Sequence, residues 1–311
     1  MRPLGVGVLY NRALTELLLV RALPVDYVEI IPERCWTDRG PGARPRFVEH
    51  PRDRDTLKTL AQMYPLVAHG VGLSIASATR FDAEHVQQLG AWRRRFGVRW
   101  VSEHLAAVRV TADGVVDHHA GVALPLPWDL ELLRLLVPRV RQAADILGCP
   151  LLLENGTVLT PVPDTDLTEV EFLNRLTAES PCRLLLDLHN LFVNSVNLGL
   201  DAYAFVRGLD LTAVEEIHIA GGNELDGIYL DSHAGACPPE VWRLLETVVP
   251  QAPNLRGVTF EFHESYFAGL GRDGLRRELI QAGQVWHSSR PEAGTTQGEI
   301  DVAAGVPASD R

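Results

Sequence analysis

The run RLLLDLHNLF, residues 183–192, is a strand-length apolar stretch that ends in an acid, an imidazole and an amide: Asp187, His189 and Asn190. A near-continuous apolar run of this length fits a strand buried on both faces, as in a parallel sheet. The run PLLLEN (150–155) has the same form and ends in Glu154-Asn155. Working outward, LGVGVLY (4–10), VDYVEII (25–31), LVAHGVGLSI (66–75), VRWVSEHL (98–105), VEEIHIAG (214–221) and GVTFEFHE (257–264) complete a set of eight strand candidates. Helical patterns separate them. NRALTELLLVRAL, RDTLKTLAQMY, DAEHVQQLGAWRRRFG and WDLELLRLLVPRVRQAADILG come first, followed by LTEVEFLNRLTAES, DAYAFVRGL, PPEVWRLLETVVP and DGLRRELIQAGQVW. Phe81-Asp82 and Gly97 read as the start and stop of the third helix, and Pro138 as a kink or break in the fourth.

Strand–helix alternation repeated eight times, at about 35 residues per unit, predicts an α/β fold of the (β/α)8 TIM-barrel type. A doubly wound open sheet is the alternative. It normally carries a Gly-rich phosphate turn after its first strand, and GVGVLYNRA is a poor match. The barrel is expected to fill residues 1–287 as one catalytic domain, with a disordered tail over 288–311, where the sequence turns polar and rich in small residues. TADGVVDHHAG (111–121) reads as an inserted hairpin turning at Asp113-Gly114, and TDRGPGARPRF as a Pro/Gly loop.

Composition narrows the function. The 311 residues are 46% hydrophobic, ample for a large core, and carry a formal charge of −11. That balance argues against a nucleic-acid partner, since affinity for phosphate backbones comes from Lys and Arg. No apolar run is long enough to span a membrane, and MRPLGVGVLYNR lacks the apolar segment of a secretory signal, so a soluble, cytoplasmic protein is expected. Cys35, Cys149, Cys182 and Cys237 form no C-x-x-C pair and read as reduced, buried thiols. There is no G-x-S-x-G elbow and no Walker A loop.

In barrel enzymes the active site is built at the C-terminal ends of the strands. Here those ends carry His69, Glu103, His104, Glu154, Asn155, Asp187, His189, Asn190, His218, Glu261 and His263, with Asp231 and His233 in the loop after the seventh strand. Each histidine alone is explained as a core or loop residue. Together they are not, because an isolated buried carboxylate costs tens of kcal/mol by Born estimates, roughly, and several at one mouth repel one another. Cations offset that directly. His69, His104, Glu154, Asp187, His218, Asp231, His233 and Glu261 have the composition of a multinuclear metal site, and imidazole plus carboxylate without thiolate suits iron, manganese or zinc. A glycosidase pair such as Glu154 with Glu261 leaves the histidines unexplained. Ser74 and Ser77 are candidates for substrate binding, and Glu103, Asn155 and His263 for supporting or proton-handling roles.

The stretches HGVGLSIASA, VSEHLA, LLLEN, LLLDLHNLFVNSVNLGLD, EIHIAGG and LDSHAGACPPEVWRLLE together resemble the DUF692 family, the MbnB-like multinuclear non-haem iron-dependent oxidative enzymes, from about Gly5 to about Tyr266. The resemblance implies a xylose-isomerase-like TIM barrel and two or three iron ions, Fe(II)/Fe(III), at its mouth. Dioxygen would be the co-substrate. The substrate would be a ribosomally made precursor peptide modified at a residue, typically cysteine, and a separate partner protein would present it. Carried over by position, His69, His104 and Glu154 are one iron's ligands. Glu154, Asp187, His218 and Glu261 are a second set with Glu154 bridging, and Asp231 and His233, with His189 or Asn190, are a third. Three stretches depart from the family pattern near where substrate should lie: GVGVLYNRAL lacks a His soon after the first strand, NGTVLT replaces a Pro-Ser pair, and FEFHES replaces a Glu-x-Asp-like ending. The rival enzyme on the same barrel is an endonuclease-IV-like hydrolase or a sugar isomerase; the rival without chemistry is a non-catalytic metal-binding protein.

Overall fold

The computed structural model describes residues 2–78, 80–112 and 116–290. Eight parallel strands close into a barrel: β1 Gly5–Leu9, β2 Tyr27–Ile30, β3 Leu66–Gly70, β4 Val101–His104, β5 Leu151–Glu154, β6 Arg183–Asp187, β7 Val214–Ala220 and β8 Gly257–Glu261. Each pairs with its neighbour in sequence, and β8 returns to β1 with Gly5 opposite Gly257. The strands are buried along nearly their whole length, because their outer faces lie under helices and their inner faces fill the barrel. This is the (β/α)8 TIM barrel that the alternation predicts.

Alternation along each strand decides what faces inward. At the bottom, Tyr27, Val67, Trp100, Leu152 and Leu185 form an apolar plug, with the Tyr27 and Trp100 rings edge to face at 5.9 Å. Two residues on toward the C-terminal ends, the same faces present Glu29, His69, Ser102, Glu154 and Asp187. The pleat that buries the plug therefore delivers the polar groups above it. The plug needs two glycines. A Cβ on Gly7 would lie 2.4 Å from the Tyr27 ring, and one on Gly257 2.5 Å from the Tyr27 hydroxyl. Gly7→Ala is expected to destabilise the fold by about 1–3 kcal/mol, as overpacking does, read as a lower urea midpoint with an unchanged slope.

The helices follow their sequence signals closely. Asp82 caps Ala83–Phe96 by accepting from His85 N–H, and Gly97 ends it in the left-handed conformation, φ +66°. Thr168 and Glu171 make a reciprocal capping box on Glu169–Glu179. Three expectations need correction. Helix Leu130–Leu147 runs unbroken through Pro138, held by the buried Leu132, Leu133, Leu136, Val140, Ala143 and Leu147. The strand expected over 183–192 stops at Asp187, and helix Leu188–Leu198 begins at once, because the Asp187 carboxylate caps it. The strand expected over 66–75 ends at Gly70.

Three antiparallel hairpins decorate the barrel: Trp36–Asp38 with Phe47–Glu49, Ala107–Ala112 with Val116–Leu124, and Asn223–Leu225 with Ile228–Leu230. The first brackets the expected Pro/Gly loop. The second is the expected insertion, although its turn at Asp113-Gly114 lies outside the described residues. So do residues 291–311 of the expected tail, while Ser288 and Ser289 end the last helix, Phe267–Ser289. No helix among the described residues is long and apolar enough to cross a membrane. The four cysteines are free thiols, and all but the partly buried Cys149 are buried.

Candidate metal centre

The residues expected at the strand ends meet in one place. His69 Nε2 and His104 Nε2 each lie 3.4 Å from Glu154 Oε2. His218 Nδ1 lies 3.1 Å from Glu261 Oε2, and His233 Nε2 lies 3.6 Å from the same oxygen. Asp231 Oδ1 sits 2.9 Å from His189 Nδ1 and 3.1 Å from His233 Nε2. Donor atoms of His69, His104 and Glu154 fall within 4.8 Å of one another, as do those of Glu154, Asp187, His218 and Glu261, so Glu154 belongs to both groups. Of the two residues considered beside Asp231, the His189 ring is the one that contacts it. Asn190 instead donates its amide to Glu154 Oε1 at 3.3 Å and to the Asn155 carbonyl at 3.0 Å.

Local structure explains how each side chain is held. Asp187 ends β6 and accepts the Asn190 N–H through Oδ1 at 2.8 Å. Asn155 grips the same strand end on both sides. It donates to the Asp187 carbonyl at 3.0 Å and accepts the Asp187 N–H at 2.8 Å. His233 reaches the mouth from a loop in the left-handed region, φ +52°. The loop packs so tightly on Gly221 that a Cβ there would lie 2.4 Å from the Ala234 and Ala236 carbonyl oxygens.

The electrostatics are those of charges crowded without water. Burial, with the charge of Asp187 and Glu261 nearby, pushes the Glu154 carboxyl well up. Burial, then Asp231 and Glu261, raises Asp187 to about 6. For Glu261 burial acts upward as well, but the His218 and His233 rings override it and hold that carboxyl below the usual range. Burial and the neighbouring His104 and His218 rings push His69 down. Burial also opposes charge on His233, yet Asp231 and Glu261 raise it to about 10.

A test of fit for cations is whether buried polar atoms here lack protein partners. Glu154 Oε2, Asp187 Oδ2, His189 Nε2, Asn190 Oδ1 and both nitrogens of His218 are buried without a hydrogen bond. Unmade hydrogen bonds at buried polar atoms are rare and costly; Glu154 Oε2, Asp187 Oδ2 and His218 Nδ1 belong to the side chains that meet at the mouth, while His218 Nε2 faces Glu29 in the layer below. The donor set of imidazole nitrogens and carboxylate oxygens fits divalent or trivalent first-row cations.

Other candidates have different work. Ser74 and Ser77 do not line the site. Ser74 Oγ accepts the Val108 and Arg109 N–H groups, and Ser77 Oγ donates to the Arg109 carbonyl, so both pin the 107–124 hairpin. His263 is exposed, and its ring meets Ser265 Oγ at 2.6 Å, capping the turn that follows β8. Glu103 faces outward from β4. It accepts Leu73 N–H and His104 N–H and groups with Glu33 and His85, whose Nε2–Oε1 separation is 2.9 Å.

The sequence reading missed Glu29 and Ser102. Ser102 Oγ sits 3.0 Å from His69 Nδ1, which leaves His69 Nε2 for the cluster. Glu29 is fully buried with Oε2 3.0 Å from His218 Nε2. Each stands two residues past an inward-facing aromatic, Tyr27 or Trp100, on the same strand face, and that alternation is the signal that would have found it.

A groove of about 890 Å³ leads to the mouth, with His104, Asn190 and Asp231 at its inner end and Leu124, Trp128 and Leu159 among its walls. It runs between the 107–124 hairpin and the segment after β5.

Comparison with known proteins agrees with this geometry. Among solved structures, endonuclease IV of Thermus thermophilus superposes with a TM-score of 0.54 at 16% identity, covering 92% of this chain and 99% of that one. D-psicose 3-epimerase of Clostridium cellulolyticum gives a TM-score of 0.57 at 11% identity, covering 92% and 98%. At such identities these show the fold alone, a xylose-isomerase-like TIM barrel. Among sequences, a UPF0276 protein of Neisseria meningitidis serogroup C is 33% identical over 255 residues, 81% of this chain and 84% of the relative. A UPF0276 protein of Rhizorhabdus wittichii is 33% identical over 225 residues, 72% of this chain and 75% of the relative. Residues 5–268, which span every side chain of the mouth, match the family described as RiPP precursor modification enzyme MbnB/TglH/ChrH, and the chain belongs to that family.

Proposed function

We propose that the protein is a multinuclear iron-dependent oxidase or oxygenase that uses dioxygen to modify a residue, a cysteine in the first instance, of a ribosomally made precursor peptide. The observation that supports this most is the cluster of buried donors, several of them unpartnered, at the inner end of a groove of about 890 Å³. Iron bound there supplies the redox chemistry and activates dioxygen.

The chain's own residues do the rest. His69, His104 and Glu154 would hold one ion. Asp187, His218 and Glu261 would hold a second with Glu154 shared, and His189, Asp231 and His233 a third. Ser102 orients His69, and the Asn155 clamp fixes the Asp187 main chain. The Asn190 amide occupies Glu154 Oε1 and leaves Oε2 facing the two imidazoles. The apolar walls of the groove exclude water and present the peptide side chain beside His104 and Asp231, which remain partly exposed. A purely structural metal site would be closed, and that opening favours catalysis. A separate protein presenting the peptide belongs to this reading.

The test is elemental analysis of protein purified without added metal, followed by dioxygen uptake on adding a cysteine-bearing precursor peptide. Two to three equivalents of iron and peptide-dependent oxygen consumption are expected. Stoichiometric zinc with no oxygen consumption would replace this reading with a hydrolase or isomerase on the same barrel.

A further inference from the structure

Glu29 stands mid-strand in β2 and points into the barrel one layer above the Tyr27 plug. It is fully buried, and neither oxygen has a hydrogen-bond donor from hydroxyl, amide or main chain among the described residues. The polar atom that faces it is His218 Nε2, 3.0 Å from Oε2. The opposite edge of the same ring faces the mouth, with Nδ1 3.1 Å from Glu261 Oε2. His218 is thus sandwiched between a carboxylate below and the carboxylate cluster above.

A neutral imidazole carries one N–H and one lone pair. If the proton sat on Nδ1, the Nε2 lone pair would face the Glu29 carboxylate and repel it. With the proton on Nε2, the positive end of the N–H faces the Glu29 carboxylate 3.0 Å away, and the Nδ1 lone pair is left for a cation at the mouth, where Glu261 also stands. Metal-ligating histidines are oriented in this way by an acceptor on their other nitrogen. A second carboxylate, Glu216, lies below the ring at 4.0 Å. Its oxygens are already engaged, one by Trp100 Nε1 at 2.7 Å and the other by the Thr259 hydroxyl at 3.3 Å. Glu29 is the carboxylate left for His218.

Glu29 has the proximity of a ligand itself, since its donor atoms lie within 4.8 Å of those of His69 and His218. The ring geometry opposes that role. His69 has Nδ1 on Ser102 and Nε2 toward Glu154, and an ion on His218 Nε2 would displace the proton that faces Glu29.

We infer that Glu29 is a positioning residue for His218: its buried carboxylate, 3.0 Å from Nε2, favours the proton on that nitrogen and so the tautomer that presents Nδ1 to the metal centre. This rests on the reading of His218 as a ligand.

The experiment is anaerobic titration of the full chain with Fe(II), and with Co(II) as a spectroscopic probe, for the wild type, Glu29→Gln and Glu29→Leu, with circular dichroism as the check on folding. The Gln variant keeps an acceptor for the Nε2 proton. It is expected to bind the wild-type number of ions with affinity within a few-fold. The Leu variant is expected to lose about 10–100-fold in affinity at one ion, the usual effect of removing such a partner, and to show a shifted Co(II) ligand-field spectrum. Loss of a whole equivalent in Glu29→Gln would make Glu29 a ligand and overturn the inference, and that arm decides the matter even if the Leu variant does not fold. Wild-type affinity and spectrum in Glu29→Leu would overturn it too. A wild-type protein that takes up neither ion would instead sink the metal reading of the mouth, and this inference with it.

Discussion

Glu154→Ala protein will fold and yet keep less than half of the wild-type metal. Glu154 is the one side chain common to both clusters of donors, so its loss opens two ion positions together. His69→Ala should remove one of these and Asp187→Ala the other. Of the three, Glu154→Ala gives the cleaner result, because Asp187 also caps helix Leu188–Leu198, and losing a cap costs about 0.5–2 kcal/mol regardless of metal. Stability should separate the roles further. In the metal-free wild type, the buried carboxylates are only partly offset by the neighbouring imidazoles, and Glu154 and Asp187 stay raised. Ions that bind only the folded chain stabilise it by about 2.7 kcal/mol at one hundred times the dissociation constant. Chelation should therefore lower the Tm of the wild type clearly, and that of Glu154→Ala much less. The readouts are elemental analysis and differential scanning calorimetry with and without chelator. Full metal content in both Glu154→Ala and His69→Ala would remove these residues from the site.

Arg46→Ala is expected to cost about 3–5 kcal/mol of stability, the usual effect of stranding the partners of a buried ion pair. The Arg46 side chain is 3% exposed and lies within 2.8 Å of Asp38 and 2.6 Å of Asp82. It also reaches Glu84 at 3.2 Å, and its guanidinium covers the Phe47 ring. It ties the hairpin of Trp36–Asp38 and Phe47–Glu49 to the start of helix Ala83–Phe96. Burial acts to raise the Asp82 carboxyl, but the Arg46 hydrogen bonds override it and bring it down to about 2. A depressed carboxyl contributes stability above its unfolded value, and that contribution fades as pH falls toward 2. The difference between wild type and Arg46→Ala in urea melts should therefore be full at pH 7 and shrink progressively below about pH 4. A constant difference down to pH 2 would mean that Arg46 acts through packing alone.

The barrel was legible because eight apolar runs of strand length recur between amphipathic stretches, and the first strand lacks the Gly-rich turn usual in a doubly wound sheet. The mouth was legible because acids and imidazoles in apolar strands have few other reasons to stand at the C-terminal ends. The rest was hidden for specific reasons. Glu29 and Ser102 lie before their strand ends, so a search of the ends passes over them. Only the inward half of the alternation reveals them. His189 and Asn190 are adjacent in sequence, and a strand through both would send only His189 to the face of Asp187 and Asn190 away from it. The helix that begins at Leu188 turns one to Asp231 and the other to Glu154. Ser74 and Ser77 looked available because nothing local predicts a hairpin more than 30 residues away that takes both hydroxyls.

The double employment of Asp187 has a consequence for coordination. Its Oδ1 is spent on the N–H of Asn190, and only Oδ2 is left without a partner. Were a cation bound on this side, Oδ2 would be the atom that Asp187 could offer it. Offering both oxygens would cost helix Leu188–Leu198 its cap, so the fold ties the freedom of this carboxylate to the start of the helix behind it.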